Sequence, residues 1–589
     1  MPAEFRTRHA RGRRVRARCI CTALMSAALA MMIPASAATA PATAGAWPAL
    51  VDEFIESYFK AHPSMAAQQG RHEFDGILPD WSAAGIRSET ARLKAFRVRA
   101  AAFPDGVLSP PQRLERDFLL TRIDREIFWN EIAQAPFRNP EFYLGMNDGG
   151  DSISPSSYIE RPYAPAAVRM RAFIKYARHL VPALAQIRAN LRMPMPASYI
   201  KVGVSGFAGL ADFFRGDIPV AFADVQDAAL QSELQQAIKP AAAALDELAR
   251  WMQSQAPRAV DNDTLGREKF LLMLRMTERV DMTLEELLAA GRADLERNLA
   301  ALRETCAHFA PGATPAACVA RVESHKPAAG PVAEARDQVA MLHRFIIDKD
   351  IATIPGNEEI RVEEAPPYNR ENSAYIGSPG PYEKNLPSVY YIAPPDPAWT
   401  AEERDAYISG KASLLFGTVH EVWPGHFLQQ MWANRAASKL AGLFYSYAYS
   451  EGWAHYAEEL VWEKGLGGDD ETKIGLLYNA LLRNVRYLSA IGLQTQGMSV
   501  AQSEKMFREE AFQDPGNARQ QAARGTYDPG YLNYTLGKLM LRKLRNDYCA
   551  SRGGEACWKQ FHDKLLSYGA PPIPLVRKIM LPGDSGPLL

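Results

Sequence analysis

The chain has 589 residues, 47% of them hydrophobic and 23% charged, with 67 basic and 67 acidic side chains. This length exceeds the need of one ordinary core and predicts one large domain or two closely packed ones. Apart from a short arginine-rich start, the chain has no basic tracts, which excludes a protein built mainly to bind nucleic acid.

The first 37 residues have the composition of a secretory signal peptide. Seven arginines are followed by the apolar run Ile20 to Ile33 and by Ala35-Ser36-Ala37, a small-residue cleavage site. The apolar run is too short to span a membrane. Removal of residues 1–37 takes away seven arginines and one glutamate, so the formal net charge changes from 0 to −6. We expect a periplasmic or secreted protein with no nucleic-acid partner and no stable membrane insertion after signal removal.

Most of the remaining chain has helical periodicity. Residues 38–47 are rich in Ala, Thr, Pro and Gly and predict a flexible leader. Beyond it, apolar residues recur at intervals of three and four, which predicts a single large helical domain over 48–589. This domain has an N-terminal helical half, about 48–260, and a catalytic half, about 261–589. Strand-forming residues at 359–362 and 388–392 predict a small sheet within the second half.

The four cysteines that follow the signal peptide form two local pairs. Cys306 is close in sequence to Cys318, and Cys549 is close to Cys557. In an oxidising compartment these pairs predict two short-loop disulfides. A four-cysteine zinc site is the alternative, but the tight Cys-x-x-Cys pairs typical of such sites are missing.

The stretch with the clearest chemistry is His420-Glu421-Val422-Trp423-Pro424-Gly425-His426. Imidazole and carboxylate are the groups that Zn²⁺ takes in catalytic sites, and metallopeptidases keep their general base directly after the first histidine. Two histidines six residues apart face different sides of a regular helix. A bend at Pro424-Gly425 would return His426 to the side of His420. The alternative is a helix that ends at Trp423 and a second histidine without any role at a metal.

A second polar block, Glu451-Gly452-Trp453-Ala454-His455-Tyr456, supplies candidates for a third ligand. A catalytic zinc site takes three protein ligands and leaves one position open, and we choose His420, His426 and Glu451. The gap between the last two is long enough for a helix, a turn and the start of the next helix. The competing candidates are His455, Glu458 and Glu459. Glu458, two turns beyond Glu451 on the same helix face, would also suit a carboxylate that orients a ligand histidine.

Both blocks resemble the bacterial family called domain of unknown function 885. The similar residues are His-Glu-x-x-Pro-Gly-His-x-x-Gln at 420–429 and Glu-Gly-Trp-Ala-x-Tyr at 451–456, with further similarity at 75–80 and 534–539. That family is grouped by similarity with gluzincin-type zinc metallopeptidases, whose third ligand is a glutamate on a following helix. The resemblance covers most of the chain after about residue 50. It implies a mainly α, zincin-like metallopeptidase fold with a small β-sheet next to the zinc helix.

The resemblance also implies roles for further residues. Glu421 is expected to take the proton of a zinc-activated water and pass it to the leaving amine. The segment 527–534 looks like the Tyr-Asp-Ala-Gly-Tyr-Tyr-x-Tyr segment of helical zinc oligopeptidases, in which tyrosines reach the substrate and the oxyanion. By that match Tyr531 and Tyr534 donate to the oxyanion, with Tyr534 preferred, and Tyr527 contacts the substrate. On composition alone, the tyrosines of this segment would be packing or interface residues.

Helix residues near position 485 bear on the substrate. Arg483 and Arg486 match the geometry of a peptide's C-terminal carboxylate, although both could equally be helix-surface charges. The family pattern continues from this segment to an Asp and then a His, where this chain has Ala490 and Gln494. That departure favours a scaffold with lost or altered activity, whereas the intact Glu421 favours an enzyme.

Taken together, these residues predict an exported, Zn²⁺-dependent metallopeptidase that hydrolyses short peptides as an exo- or oligopeptidase. Two alternatives stay open. One is a non-catalytic peptide-binding protein on a degenerate peptidase scaffold, and the other is a metal-dependent hydrolase of non-peptide amides or esters. Digestion of a mixed peptide library would distinguish a peptidase from a hydrolase of non-peptide amides or esters.

Overall fold

The computed structural model describes residues 44–145, 151–366, 369–370 and 373–589. The predicted signal peptide lies outside the described residues, as does most of the predicted leader. Residues Ala42–Leu589 form one compact unit. Helices make up most of this unit, and a single small sheet accompanies them in the described residues. The prediction of a mainly helical fold with a small sheet is confirmed.

The N-terminal helices build two separate buried cores. Phe54 of the first helix contacts Phe96 and also Phe444, so a loop from far along the chain completes the first core. The second core lies between three long helices that follow. The helices of this part are α1 (Trp47–Ala61), α2 (Pro63–Gln68), α3 (Ala83–Ala101), α4 (Pro110–Ile127), α5 (Ala135–Arg138), α6 (Glu141–Leu144), α7 (Ser156–Ile159), α8 (Ala166–Asn190), α9 (Ala197–Ala221), α10 (Ala228–Ser254) and α11 (Gly266–Glu278).

One residue of the predicted leader belongs to the folded part instead. Trp47 is fully buried, and its indole nitrogen donates a hydrogen bond of 2.7 Å to Glu115. Burial of so large an aromatic side chain stabilises the packing of α1 on α4. The folded unit therefore includes residue 47, which the leader prediction wrongly left out.

The C-terminal helices surround the largest core. They are α12 (Leu284–Phe309), α13 (Pro315–Glu323), α14 (Pro331–Asp348), α15 (Ala401–Tyr407), α16 (Lys411–Glu421), α17 (His426–Ala433), α18 (Tyr447–Glu463), α19 (Asp470–Thr495), α20 (Val500–Glu510), α21 (Pro515–Tyr527), α22 (Asn533–Cys549), α23 (Trp558–Leu566) and α24 (Ile573–Met580). The disulfide Cys306–Cys318 joins α12 to α13, and Cys549–Cys557 closes the loop after α22. Both predicted pairs are confirmed. Across the described residues, no helix combines the length and the apolar character needed to cross a membrane.

The sheet lies between α14 and α16. Its strands are β1 (Ile360–Glu364), β2 (Ala374–Gly377) and β3 (Ser388–Ile392), in the order β1-β3-β2. The central strand β3 is buried along its length, pairs in parallel with β1 and pairs antiparallel with β2. The sequence predicted β1 and β3 but not β2, because a four-residue strand gives too short a pattern to stand out. Because β2 pairs with β3 alone, it is an edge strand of the sheet.

Two glycines allow α18 and α22 to cross in backbone contact. A Cβ atom on Gly537 would lie 1.8 Å from the carbonyl oxygen of Ala448, and one on Gly452 would lie 2.4 Å from the Cα of Gly537. Only glycine tolerates such an approach, since any side chain would overlap the facing backbone. The crossing brings Glu451 of α18 and Tyr534 of α22 onto the same cleft.

We expect Gly537→Ala to lower the free energy of unfolding by about 1–3 kcal/mol or more, because the added methyl meets backbone that no rotamer change can move aside. Gly209→Ala is the matched control, since a Cβ there meets nothing within 4 Å. Gly209→Ala should raise the stability of α9 by about 0.5–1 kcal/mol. Denaturant unfolding measures both variants, and a fully stable Gly537→Ala protein would contradict the close crossing.

Candidate metal centre

The chain turns sharply between the two histidines of the motif. Helix α16 ends at Glu421, the Trp423–Pro424 peptide bond is cis, and α17 begins at His426. A Cβ atom on Gly425 would lie 1.8 Å from the carbonyl oxygen of His420, so the turn requires a glycine at this position,. The predicted break is present, but it is a complete helix end followed by a new helix, not a kink within one helix.

This turn brings three side chains together at one point. The Nε2 atom of His420 lies 3.1 Å from Oε2 of Glu451, and Nε2 of His426 lies 3.4 Å from the same oxygen. One ligand atom from each residue lies within 4.8 Å of the other two. Tetrahedral zinc with bonds of about 2.0–2.2 Å separates its ligand atoms by about 3.3–3.6 Å. The two spacings to the Glu451 oxygen are close to this range, so the three residues chosen from the sequence are compatible with one four-coordinate ion.

Glu458 and Arg483 hold the His420 ring from behind. Oε1 of Glu458 lies 2.8 Å from Nδ1 of His420, and Nη2 of Arg483 lies 3.1 Å from the same oxygen. With Nδ1–H donating to Glu458, Nε2 presents its lone pair to the Glu451 carboxylate, 3.1 Å away. Two acceptors at this distance repel each other unless a proton or a cation lies between them. The donor set thus fits a metal ion, and Glu458 takes the orienting position that its spacing from Glu451 suggested.

The electrostatics of the cluster follow from burial and from close opposite charges. Burial acts to raise the pKa of Glu451, but the neighbouring His426 and His420 lower it well below its ordinary value. Burial acts to lower the pKa of His426, but the Glu451 charge raises it to about 9. Burial also raises the pKa of Glu421, despite the nearby imidazoles. A carboxylate with a raised pKa is a stronger base than an exposed one.

The cluster opens into a cleft with a volume of about 770 Å³. Tyr534 stands beside it, with its ring stacked on His420 at a centroid distance of 6.0 Å. Arg524 lies 3.5 Å from the Tyr534 hydroxyl and donates to the Tyr447 hydroxyl at 3.0 Å. The sequence reasoning missed Tyr447 and Arg524. A signal was available, since Tyr447 precedes Glu451 by four residues and so shares its helix face.

The structure places Tyr531, predicted as an oxyanion donor, and Tyr527, predicted to contact the substrate, away from this cleft. Tyr531 is fully buried, and its hydroxyl lies 3.2 Å from Oγ of Ser489 and 3.4 Å from the Gln521 carbonyl oxygen. Tyr527 packs edge-on against Tyr199 and borders a separate, smaller cavity of about 140 Å³. Both predictions are wrong, because each side chain turns toward neighbouring helices. Tyr534, in the first turn of α22, is the one that reaches the cleft.

The competing ligand candidates also lie outside the cluster. Glu459 pairs with Lys538 and Arg297, each at 2.7 Å. His455 is fully buried, with Nδ1 3.5 Å from Oε2 of Glu458. Neither residue places a ligand atom beside Glu451.

The α19 residues singled out in the sequence have different surroundings. Arg483 also lines the cleft, but it already binds Glu458 and the Asn479 carbonyl, so its guanidinium is engaged within the protein. Arg486 lines the cleft. Ala490 and Gln494 are buried away from the cleft, and the Gln494 amide donates to two backbone carbonyls at the end of α21, both at 3.1 Å. The departure from the family pattern therefore falls on packing positions.

Together, the fold and site define a mainly helical protein with a two-histidine, one-glutamate cluster at a deep cleft. Residues 63–580 match the family described as "Bacterial protein of unknown function (DUF885)", and this chain belongs to that family. A comparison with curated proteins found no match.

Two solved structures share the fold. A protein of unknown function from Shewanella oneidensis, provisionally described as a lipoprotein, is 22% identical, with a TM-score of 0.73. The alignment covers 91% of this chain and 99% of that one. A provisionally described lipoprotein from Colwellia psychrerythraea is 17% identical, with a TM-score of 0.75 and coverage of 92% and 99%. At these identities the likeness establishes the fold alone.

Glu458→Gln should lower the free energy of unfolding by about 3–5 kcal/mol, because it leaves the Arg483 charge buried without its carboxylate partner. Glu304→Gln is the matched control, since Glu304 is an exposed helical glutamate and surface changes stay within about 0.5 kcal/mol. Denaturant unfolding of metal-free protein gives both values. Equal stability of the two variants would show that Glu458 does not hold Arg483 and His420.

Proposed function

We propose that the protein is an exported zinc-dependent metallopeptidase that hydrolyses peptide bonds of short peptides. The observation that carries the proposal is the convergence of His420, His426 and Glu451, whose ligand atoms lie within 4.8 Å of one another at the cleft. Imidazole and carboxylate are preferred zinc donors, and three of them leave a fourth position for water or substrate. Zinc held there supplies Lewis-acid activation of the attacking water and of the scissile carbonyl.

The chain's own groups perform the remaining chemistry. Glu421 directly follows the ligand His420, lines the cleft and has a pKa raised by burial. It accepts a proton from the attacking water and delivers it to the leaving amine. Tyr534 stacks beside His420 and donates its hydroxyl hydrogen to the developing oxyanion,. Burial raises the pKa of Tyr534, which keeps the hydroxyl protonated near neutral pH.

The small sheet offers a way to hold an extended substrate. Strand β2 borders the cleft and pairs with β3 along one edge only. An extended peptide can add to such an edge through main-chain hydrogen bonds, which give affinity with little demand on sequence. This mode suits a peptidase that accepts varied short peptides.

Export is proposed on two grounds. The first 37 residues have the composition of a signal peptide,. The folded part carries two disulfides, which persist in oxidising compartments and are rare in the cytosol,.

Metal analysis tests the cluster directly. We expect the purified mature chain to bind about one zinc ion, by the three-ligand geometry of catalytic sites. His426→Ala should lose most of this zinc, because it removes a ligand and leaves only two protein donors. His308→Ala, which removes an exposed helical histidine, is the control and should bind as much zinc as wild type. Equal zinc in all three proteins would refute the cluster as the binding site.

Glu421→Gln separates the general base from the ligands. It keeps the side-chain volume and the three ligands, so zinc should stay bound while kcat/KM for peptide hydrolysis falls by about 10²–10⁴. Tyr534→Phe removes one oxyanion donor and should lower kcat by about 10²–10³. The kinetic constants of both variants are measured on a mixed peptide library, with wild type and Glu304→Gln as controls.

The outcomes distinguish the rival functions. If Glu421→Gln loses its zinc, Glu421 is itself a ligand and its role as general base is wrong. If zinc-loaded wild type cleaves ester or amide substrates but no peptide, the protein is a hydrolase of another class. Peptide binding without any hydrolysis would indicate a binding protein on a peptidase scaffold.

A further inference from the structure

Arg486 is a buried cation of the cleft without an anionic partner among the described residues. Its side chain belongs to α19, is only 8% exposed and lines the cleft. Its Nε atom donates to Oε1 of Gln521 at 2.7 Å, and no carboxylate in the described part of the chain lies within ion-pair distance of it. Within the same residues, neither terminal nitrogen has a hydrogen-bond acceptor.

The neighbouring arginines of the cleft are paired with carboxylates. Arg483 lies 3.1 Å from Glu458, and Nε of Arg524 lies 2.9 Å from Asp528. Burying a charge is costly unless it is paired and hydrogen-bonded. Burial lowers the pKa of Arg486, and the nearby Arg524 and Arg483 lower it further. An anion arriving in the cleft would remove this cost.

The guanidinium is held in a fixed orientation. Gln521, which accepts from Nε, also donates to Oδ1 of Asn517 at 3.2 Å, and this second bond fixes its amide. With Nε engaged, the two terminal nitrogens present a planar fork to the cleft. A carboxylate matches that fork with two parallel hydrogen bonds of about 2.7–2.9 Å.

Arg486 also lies at a suitable distance from the metal centre. Its Cζ atom is 4.8 Å from the centroid of the Tyr534 ring, and that ring lies 6.0 Å from the His420 ring. One extended residue spans about 3.3–3.6 Å. Arg486 and His420 thus both lie beside the Tyr534 ring, so a short C-terminal segment beyond the scissile bond is enough to bring the substrate carboxylate to Arg486.

We propose that Arg486 binds the C-terminal carboxylate of the peptide substrate, so that the protein is a carboxypeptidase that releases one residue at a time. This inference rests on the proposed peptidase function and names its substrate class. In the reaction, a water oxygen bonds to the penultimate carbonyl carbon and the C–N bond breaks. One product is a shortened peptide with a new carboxylate. The other is a free amino acid whose nitrogen has taken the proton.

Three matched peptides test the proposal. All are N-acetylated tetrapeptides: one has a free C-terminal carboxylate, one a C-terminal amide, and one a C-terminal amide with glutamate as the last residue. Zinc-loaded wild type should release a single amino acid from the free acid. Its kcat/KM for the neutral amide should be about 10–200-fold lower, as expected for one lost hydrogen-bonded charge contact.

Variants locate the effect at Arg486. Arg486→Gln should lower kcat/KM for the free acid by the same about 10–200-fold and leave the neutral amide unchanged. Arg486→Lys keeps the charge but loses the fork, so it should give an intermediate value. Arg519→Gln is the control, since Arg519 is a half-exposed arginine of α21 that does not line the cleft. It should leave all three substrates unchanged.

Several results would overturn the proposal. Equal loss on acid and amide in Arg486→Gln would show that Arg486 only supports Tyr534. Wild type that cleaves amides and acids alike is an endopeptidase. Efficient cleavage of the glutamyl amide but not the neutral amide would show that an acidic side chain is the anion recognised.

Calorimetric binding of the free acid and amide peptides separates this inference from the proposed function. If wild type hydrolyses none of the peptides, the peptidase function fails. Carboxylate recognition still stands if wild type binds the acid more tightly than the amide and Arg486→Gln abolishes the difference. Equal binding of the acid and the amide by wild type would refute carboxylate recognition by Arg486.

Discussion

The hydrogen bond from the Trp453 indole to the carbonyl oxygen of Pro424, at 2.8 Å, joins the two halves of the candidate metal centre. Pro424 belongs to the turn that returns His426 to the side of His420, and Trp453 belongs to the helix that carries Glu451. It acts together with the contact between Glu458 of α18 and His420, so the turn and α18 hold one another at two points. Three successive residues of α18 have three different contacts. Glu451 belongs to the cluster, Gly452 allows the close approach of α22, and Trp453 hydrogen-bonds the turn.

The sequence predicted the helices, two of the strands and the disulfides correctly, because each of these features produces a pattern in neighbouring residues. Helical periodicity, the strand composition of β1 and β3, and the cysteine spacing all depend on residues close together in the chain. The motif at 420–426 also contained the reason for its own geometry, since proline and glycine stand where the helix has to end. Strand β2 was missed because four residues carry too little pattern to distinguish it from a loop.

Side-chain roles that depend on a distant partner could not be predicted. Arg483 and Arg486 lie three residues apart on α19 and share a face, so the sequence treats them alike. Both line the cleft, and what separates them is Glu458, a residue of α18 that pairs with Arg483 but not with Arg486. In the same way, Tyr531 and Tyr534 are only three residues apart, but distant partners give them different surroundings. Tyr534, in α22, lines the cleft. The Tyr531 hydroxyl instead contacts Ser489 and the Gln521 carbonyl of α21.

Two places around the cleft suit ligands of opposite charge. At the cluster, Nε2 of His420 lies 3.1 Å from the Glu451 carboxylate, and two acceptors this close favour a cation between them. Across the Tyr534 ring, the guanidinium of Arg486 lacks an anion from the described residues. Beside these two places, Arg483 meets Glu458 and Arg524 meets Asp528. In the proposed function, a metal ion and a substrate carboxylate would bind at these two places. Because buried charges are costly without a partner, the proposed metal ion and the proposed substrate carboxylate would each stabilise the group that faces it.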